Sequence, residues 1–201
     1  MDDIDFGALL CARLCHDLIS PVSAAHNGIA MARDEADPEM RAEAMALTAD
    51  GLADAIDKLK VYRIAYGTAG PRTTLAEARA AAQGLFSRGR VDVDWPEEAT
   101  DAGPEDVRLL LNLVLLGADA VARGGTVRVA ATGATMVIEA TGARAGFPPD
   151  VLSVLDDETE VAALSPRQSQ AALTLKLAAR QGRMVSHKAS EGVVALTAKA
   201  P

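Results

Sequence analysis

Two stretches of helical apolar periodicity, joined by a short polar connection, fill the first 66 residues and decide most of what this chain can become. Between Phe6 and Arg33 the sole proline is Pro21. At about 100° per residue, Leu10, Cys11, Leu14, Leu18, Val22, Ala25 and Ile29 fall within one narrow apolar sector. Asp34–Pro38 then reads as a connection, with Asp37 placed to cap the next helix and Pro38 at its first position. That second helix runs over Glu39–Tyr66 with Met45, Ala49, Leu52, Ile56, Leu59 and Arg63 or Tyr66 in its stripe, and Gly67 suits a left-handed cap. So short a link makes the two helices antiparallel neighbours, each roughly 40 Å long at 1.5 Å per residue. A single hairpin buries such stripes poorly. The expected solution is a homodimer in which two hairpins form a four-helix bundle.

Beyond a linker at Thr68–Arg72 the period changes, so the chain divides into a helical hairpin (residues 1–70) and an α/β unit (residues 71–201). Thr74-x-x-Glu77 is a capping box opening a helix to Ser87. Val91–Trp95 alternates like a strand, and Pro104 opens an apolar helix over Glu105–Ala122 that Gly124-Gly125 ends. Thr126–Thr132 and Thr135–Thr141 form a hairpin around Gly133, and Pro149–Asp157 reads as a short helix. Ser165-Pro166-x-Gln168 is a second capping box for a helix to Gln181, and Met184–Ala189 and Val193–Lys199 close the fold as a hairpin around Glu191-Gly192. The fold class is α+β, with a helix layer on a mixed sheet.

Composition excludes several functions. Net charge is −8, with no basic stripe to neutralise a phosphate backbone, so nucleic acid is not an expected partner. The longest candidate run, Leu109–Leu116, falls well short of the roughly 20 residues of a membrane span. The acidic start at Asp2 and Asp3 lacks the basic region of a secretory signal, so the expected location is cytoplasmic, with no membrane partner. Aromatic residues make up only 3%, leaving few anchors for a deep small-molecule pocket. Cys11 and Cys15, four apart on one helix, read as small core residues. With His16 turned away from them, three ligands do not converge on a metal.

His16 is the residue to weigh. It falls nearly opposite the centre of the Leu14/Leu18/Val22 stripe and shares its face with Arg13, Ser20, Ser23 and Asn27. A histidine on the solvent side of a rigid helix is accessible, and an imidazole near neutral pH keeps an uncharged, nucleophilic fraction. By periodicity alone an ordinary surface histidine fits as well. Pro21, five residues on, removes a backbone donor and bends the helix. Asp17 can orient the imidazole or assist proton transfer. His26 and His187 read as structural or solvated.

The run Arg13–Ala24 contains His16-Asp17-Leu18-x-x-Pro21, which resembles the phosphoacceptor box of histidine kinases. That longer run, with Tyr62-Arg63-Ile64-Ala65-Tyr66-Gly67, is more similar still to the histidine phosphotransferases of alphaproteobacterial cell-cycle phosphorelays. The resemblance extends along essentially the whole chain. It implies a two-component phosphorelay in which His16 receives a phosphoryl group from a hybrid kinase's receiver domain and passes it to a response-regulator receiver domain. It further implies that residues 71–201 descend from a kinase ATP-binding domain, with Leu109–Ala122 standing for the helix that carries a magnesium-binding asparagine, here Asn112. The Asp-x-Gly-x-Gly turn of such a site is missing. Gly142-Ala143-Arg144-Ala145-Gly146 stands after the strand, so no bound cofactor is expected, and Mg2+ belongs to the partner receiver. Receiver docking is expected at Arg13, Ile19, Ser20 and Ser23. Lys60 and Arg63 either attract an acidic receiver or keep the bundle soluble. An ATP-dependent kinase and a non-catalytic dimeric scaffold are the rival functions.

Overall fold

A computed structural model describes residues 2–68, 70, 73–97, 102–131, 133–156 and 164–200. The chain opens with α1 (Asp3–Asp34), antiparallel to α2 (Pro38–Ala65). The first helix begins at Asp3, three residues before Phe6. Its start is set by Asp2, whose carboxylate accepts hydrogen bonds from Ile4 N (2.9 Å) and Asp5 N (2.8 Å). Asp37 caps α2 in the same way, through Glu39 N and Met40 N, with Pro38 at the first position. Gly67 does not adopt the expected left-handed conformation. It is a glycine for a steric reason, since a Cβ there would lie 2.3 Å from the Arg63 carbonyl oxygen.

The hairpin is sealed by small residues rather than by the large apolar ones. Pro21, Ala25 and Gly28 of α1 are buried, as are Ala44, Thr48, Gly51 and Ala55 of α2. The backbones approach so closely that a Cβ on Gly51 would meet the Pro21 carbonyl oxygen at 2.7 Å. Thr48 satisfies its own buried hydroxyl by donating to the Ala44 carbonyl at 3.0 Å. The larger stripe residues Val22, Ile29, Met45, Leu52, Ile56 and Leu59 are left about half exposed. Cys11 and Cys15 are exposed on the same side, a correction to their expected place in the core, because the small-residue seam lies around the helix from them. By length and composition α1 is also apolar enough to cross a membrane, which the short run Leu109–Leu116 did not disclose.

The expected linker at Thr68–Arg72 falls largely outside the described residues. After it come α3 (Leu75–Phe86), β1 (Val91–Asp94), α4 (Pro104–Ala120), β2 (Gly125–Ala131), β3 (Thr135–Thr141), α5 (Pro149–Leu155), α6 (Ser169–Arg180), β4 (Met184–Ser190) and β5 (Val193–Lys199). Thr132 and Asp157, ends of two expected elements, lie outside the described residues. The sheet order is β1-β2-β3-β5-β4, with β1 parallel to β2 and the other pairs antiparallel. Alternation places Met136, Ile138 and Ala140 of β3 beside Ala198, Leu196 and Val194 of β5 on one buried face. There α4 covers them, with α6 packed beside it on β4. All but one residue of α4 from Val107 to Ala120 is buried, so its continuous apolar run is a core helix. Helix α6 starts four residues after the expected cap. Gln168 still reaches back to Ser165 N at 2.8 Å, but 166–168 form a turn and the regular helix opens at Ser169. The boundary at residue 70 does not divide the core, because Phe6 of α1 and Val61, Tyr62, Ile64 and Ala65 of α2 pack into the same cluster as α4 and the sheet.

Candidate functional site

Helix α1 passes beside the end of the α/β unit, and His16 stands at that crossing with its side chain 87% exposed. Its Nδ1 lies 3.1 Å from Asp17 Oδ1. A carboxylate offers only acceptors, so Nδ1 carries the proton of that bond and the Nε2 lone pair is left toward solvent.

Asp17 is itself held from three sides. Tyr62 of α2 donates its hydroxyl to Asp17 Oδ2 at 2.6 Å, and Arg13 Nε lies 3.8 Å from the same oxygen, one turn back on α1. The third contact follows from Pro21. Lacking an N–H, it cannot bond the carbonyl four residues earlier, which is that of Asp17. Lys58 Nζ takes that carbonyl at 3.2 Å while pairing with Asp54 at 2.9 Å. The proline therefore exchanges a backbone bond inside α1 for a bond from the side chain of α2.

Behind this layer the tyrosines connect the hairpin to the α/β core. The Tyr62 and Tyr66 rings stack with centroids 4.9 Å apart. Tyr66 donates its hydroxyl to Gln170 Oε1 at 3.0 Å, and Gln170 Nε2 donates to Asn112 Oδ1 at 2.9 Å. Asn112, fully buried, spends its amide on the Ala65 and Arg108 carbonyls. Burial, reinforced by donation to Asp17, lifts the Tyr62 phenol far above its ordinary pKa. Burial likewise pushes Tyr66 up to about 12. Both are fixed donors at neutral pH.

Arg13 does not stand on a free outer face as expected. It reaches Asp119 of α4 at 3.3 Å and the Arg167 carbonyl at 3.5 Å, tying α1 to the second unit. Burial disfavours its charge, but Asp119 and its other anionic neighbours outweigh that and raise its pKa. Asp119 is raised by its own desolvation, against the pull of Arg13. A groove of about 530 Å³ runs from His16 along Arg13 and Asp119 to Pro148, Val151 and Arg167. Ile19, Ser20 and Ser23 are exposed on α1 near His16, with Ile19 64% open. Lys60 and Arg63 are turned elsewhere. Lys60 pairs with Asp57 at 3.0 Å, and Arg63 pairs with Glu77 of α3. That second pair also explains why Thr74–Glu77 forms only half a capping box, in which Glu77 N donates to Thr74 Oγ1 at 3.2 Å. The residues of α2 that do reach the His16 turn, Lys58 and Tyr62, went unassigned by periodicity. Their signal was the four-residue spacing Lys58, Tyr62, Tyr66 on a face opposite Asp17, legible only once the helices are registered. His187 is bonded to Asp156 at 2.9 Å, and His26 is exposed. Among the described residues no cluster of His, Cys, Asp or Glu could hold a metal ion.

Residues 75–193 match the family model described as the histidine phosphotransferase C-terminal domain, and the chain belongs to that family. It is a protein phosphotransferase. Over 199 residues it is 32% identical to the protein phosphotransferase ChpT of Brucella abortus (strain 2308), covering 95% of this chain and 94% of that one. A solved structure described as a bacterial phosphotransferase superposes with a TM-score of 0.85 at 30% identity, over 99% of this chain and 98% of that chain.

Proposed function

We propose that this chain relays a phosphoryl group between receiver domains through His16 and does so without ATP. Aspartyl phosphate on the receiver of a hybrid histidine kinase presents its phosphorus to the neutral imidazole. An N–P bond forms at Nε2, and the acyl P–O bond breaks with its electron pair leaving on the receiver carboxylate. Nδ1 keeps its proton, and the positive charge acquired by the ring faces the Asp17 carboxylate. The phosphohistidine then donates to the aspartate of a response regulator. The receiver brings its own Mg2+, so this chain supplies a positioned nucleophile and a docking face, consistent with phosphoryl transfer by positioning and charge neutralisation.

The single observation that carries the reading is an imidazole almost wholly open to solvent yet bonded through its inner nitrogen to a braced carboxylate. Two features support independence from ATP. Asn112, where a magnesium ligand would stand, is buried with its amide committed inside the protein. The Gly142–Gly146 loop spends backbone donors internally, from Gly142 N to Gly192 O (2.9 Å) and from Gly146 N to Ala120 O (2.9 Å), instead of presenting them to phosphate. The half-exposed apolar faces of α1 and α2 support a homodimer, and the relay acts in the cytoplasm. Lys60 and Arg63 are kept as solubilising charges, while Ile19, Ser20, Ser23 and the Arg13 groove form the receiver face.

Incubating the full chain with a phosphorylated receiver tests this. Acid-labile label on this chain, lost in His16→Ala, is expected. Binding without label supports a scaffold, and label taken from ATP alone supports a kinase.

A further inference from the structure

Asp17 cannot choose its own orientation. Its carboxylate sits on an α1 side chain about 27% exposed, and nothing within its own residue fixes which oxygen meets the imidazole. Free rotation about χ1 and χ2 would let water replace His16 at that oxygen. In the fold the second oxygen is already taken, by a phenol whose ring is clamped in turn. Tyr62 is buried, stacked on Tyr66, and Tyr66 is anchored through Gln170 to the buried Asn112 amide. The chain of contacts thus runs from the α/β core to the exposed imidazole through rigid groups only.

We infer that Tyr62 is a positioning residue for phosphoryl transfer at His16, holding Asp17 in the orientation that fixes the Nδ1–H tautomer and leaves Nε2 as the nucleophile. The inference deepens the relay proposed above and rests on it. Two geometric facts make the assignment specific. The Tyr62 bond to Oδ2 is, at 2.6 Å, the shortest side-chain contact to Asp17, in the range of a hydroxyl donating to a carboxylate. Arg13, the other group near Oδ2, holds its Nε 3.8 Å away, beyond hydrogen-bond distance, while its Nη2 pairs with Asp119. Removing the phenol therefore leaves Oδ2 without a hydrogen bond from the protein. A phenol that cannot ionise at working pH suits the role, since it donates throughout the transfer cycle. The consequence for the reaction is direct. Without an acceptor at Nδ1, the proton distributes between the two ring nitrogens, and molecules carrying it on Nε2 have no lone pair toward the phosphorus.

The test uses the full-length protein and four forms of it: wild type, Tyr62→Phe, Asp17→Ala and the double variant. Imidazole 15N shifts of His16 and the rate of label transfer from a phosphorylated receiver are read for each. Wild type is expected to carry its neutral-state proton on Nδ1. Tyr62→Phe is expected to move the neutral ring toward the Nε2–H tautomer and to slow transfer roughly tenfold, the size usual for losing a hydrogen bond to a charged group that orients a reactive one. In the Asp17→Ala background the same change should cost nothing further, because Tyr62 acts through Asp17. An unaltered tautomer and rate in Tyr62→Phe overturn the inference, as does an equal penalty with and without Asp17. Should the phenylalanine variant fail to fold, a wild-type spectrum dominated by Nε2–H overturns it alone. Absence of any label on wild type is a different result, and refutes the relay itself.

Discussion

Gly51→Ala changes one hydrogen to a methyl group where the backbones of α1 and α2 approach closely. The added Cβ would lie 2.7 Å from the Pro21 carbonyl oxygen, 2.9 Å from Ala25 N and 3.2 Å from Ala25 Cβ. The first two are backbone atoms, which cannot rotate aside, so α1 itself must retreat. Two terms oppose each other. Alanine in a helix interior gains about 0.8–1.0 kcal/mol over glycine. Overpacking a closely fitted seam costs about 1–3 kcal/mol. The seam wins, and the variant should be less stable by roughly 1 kcal/mol, a fall of about 2–4 °C in Tm for a chain of this size. Urea unfolding with an unchanged m-value measures it. Gly7→Ala in α1, where nothing lies within 4 Å of the new Cβ, is the matched case and should gain stability. A Gly51→Ala protein stabilised by about 1 kcal/mol would refute the close-approach reasoning, since that is the gain of an unobstructed helix position.

Further predictions concern pH and assembly. The folded Tyr66 and Tyr62 phenols hold their protons above the value near 10 expected of an unfolded chain, so their contribution to stability is complete below about pH 10 and is lost as pH rises toward 12. Thermal unfolding between pH 8 and 11 should show that fall, and a Tyr62→Phe/Tyr66→Phe variant should show a shallower one; parallel slopes would contradict the burial argument. Ile56→Ala trims an apolar side chain that is half exposed in the single chain. It should weaken the proposed dimer by up to about 2–5 kcal/mol if the face is fully covered by a second copy. Equal dimer dissociation constants by sedimentation would place the interface elsewhere. Leu18→Ala, whose side chain is partly buried already, should do so less.

Much of the fold was legible because it depends on local chemistry. Asp37-Pro38 and Gly192 act within a few residues of themselves, and the Leu109–Leu116 run is apolar on every side, as a covered helix is. The exposure of His16 was legible for the same reason, since a helical wheel does locate the outside of a helix. What failed depends on contact between elements. Apolar size suggested that Leu, Ile and Val would meet inside the hairpin. The actual seam is made by Ala25, Gly28, Ala44, Gly51 and Ala55, which bring the backbones together but contribute little hydropathy. That displacement moved Cys11 and Cys15 from the core to the surface. Arg13 and Arg63 looked like free cations because Asp119 and Glu77 are distant in sequence. Periodicity gives Tyr62 and Lys58 no role because their partner lies on the other helix, and the missing Pro21 donor makes sense only with Lys58 beside it.

The most direct measurement is the position of the phosphoryl group itself. After transfer from a phosphorylated receiver to uniformly 15N-labelled protein, 31P–15N coupling identifies the nitrogen that carries it. The account predicts Nε2 of His16, with Nδ1 still protonated. Phosphate on Nδ1 of His16, or on His26, His187 or a carboxylate, would contradict it.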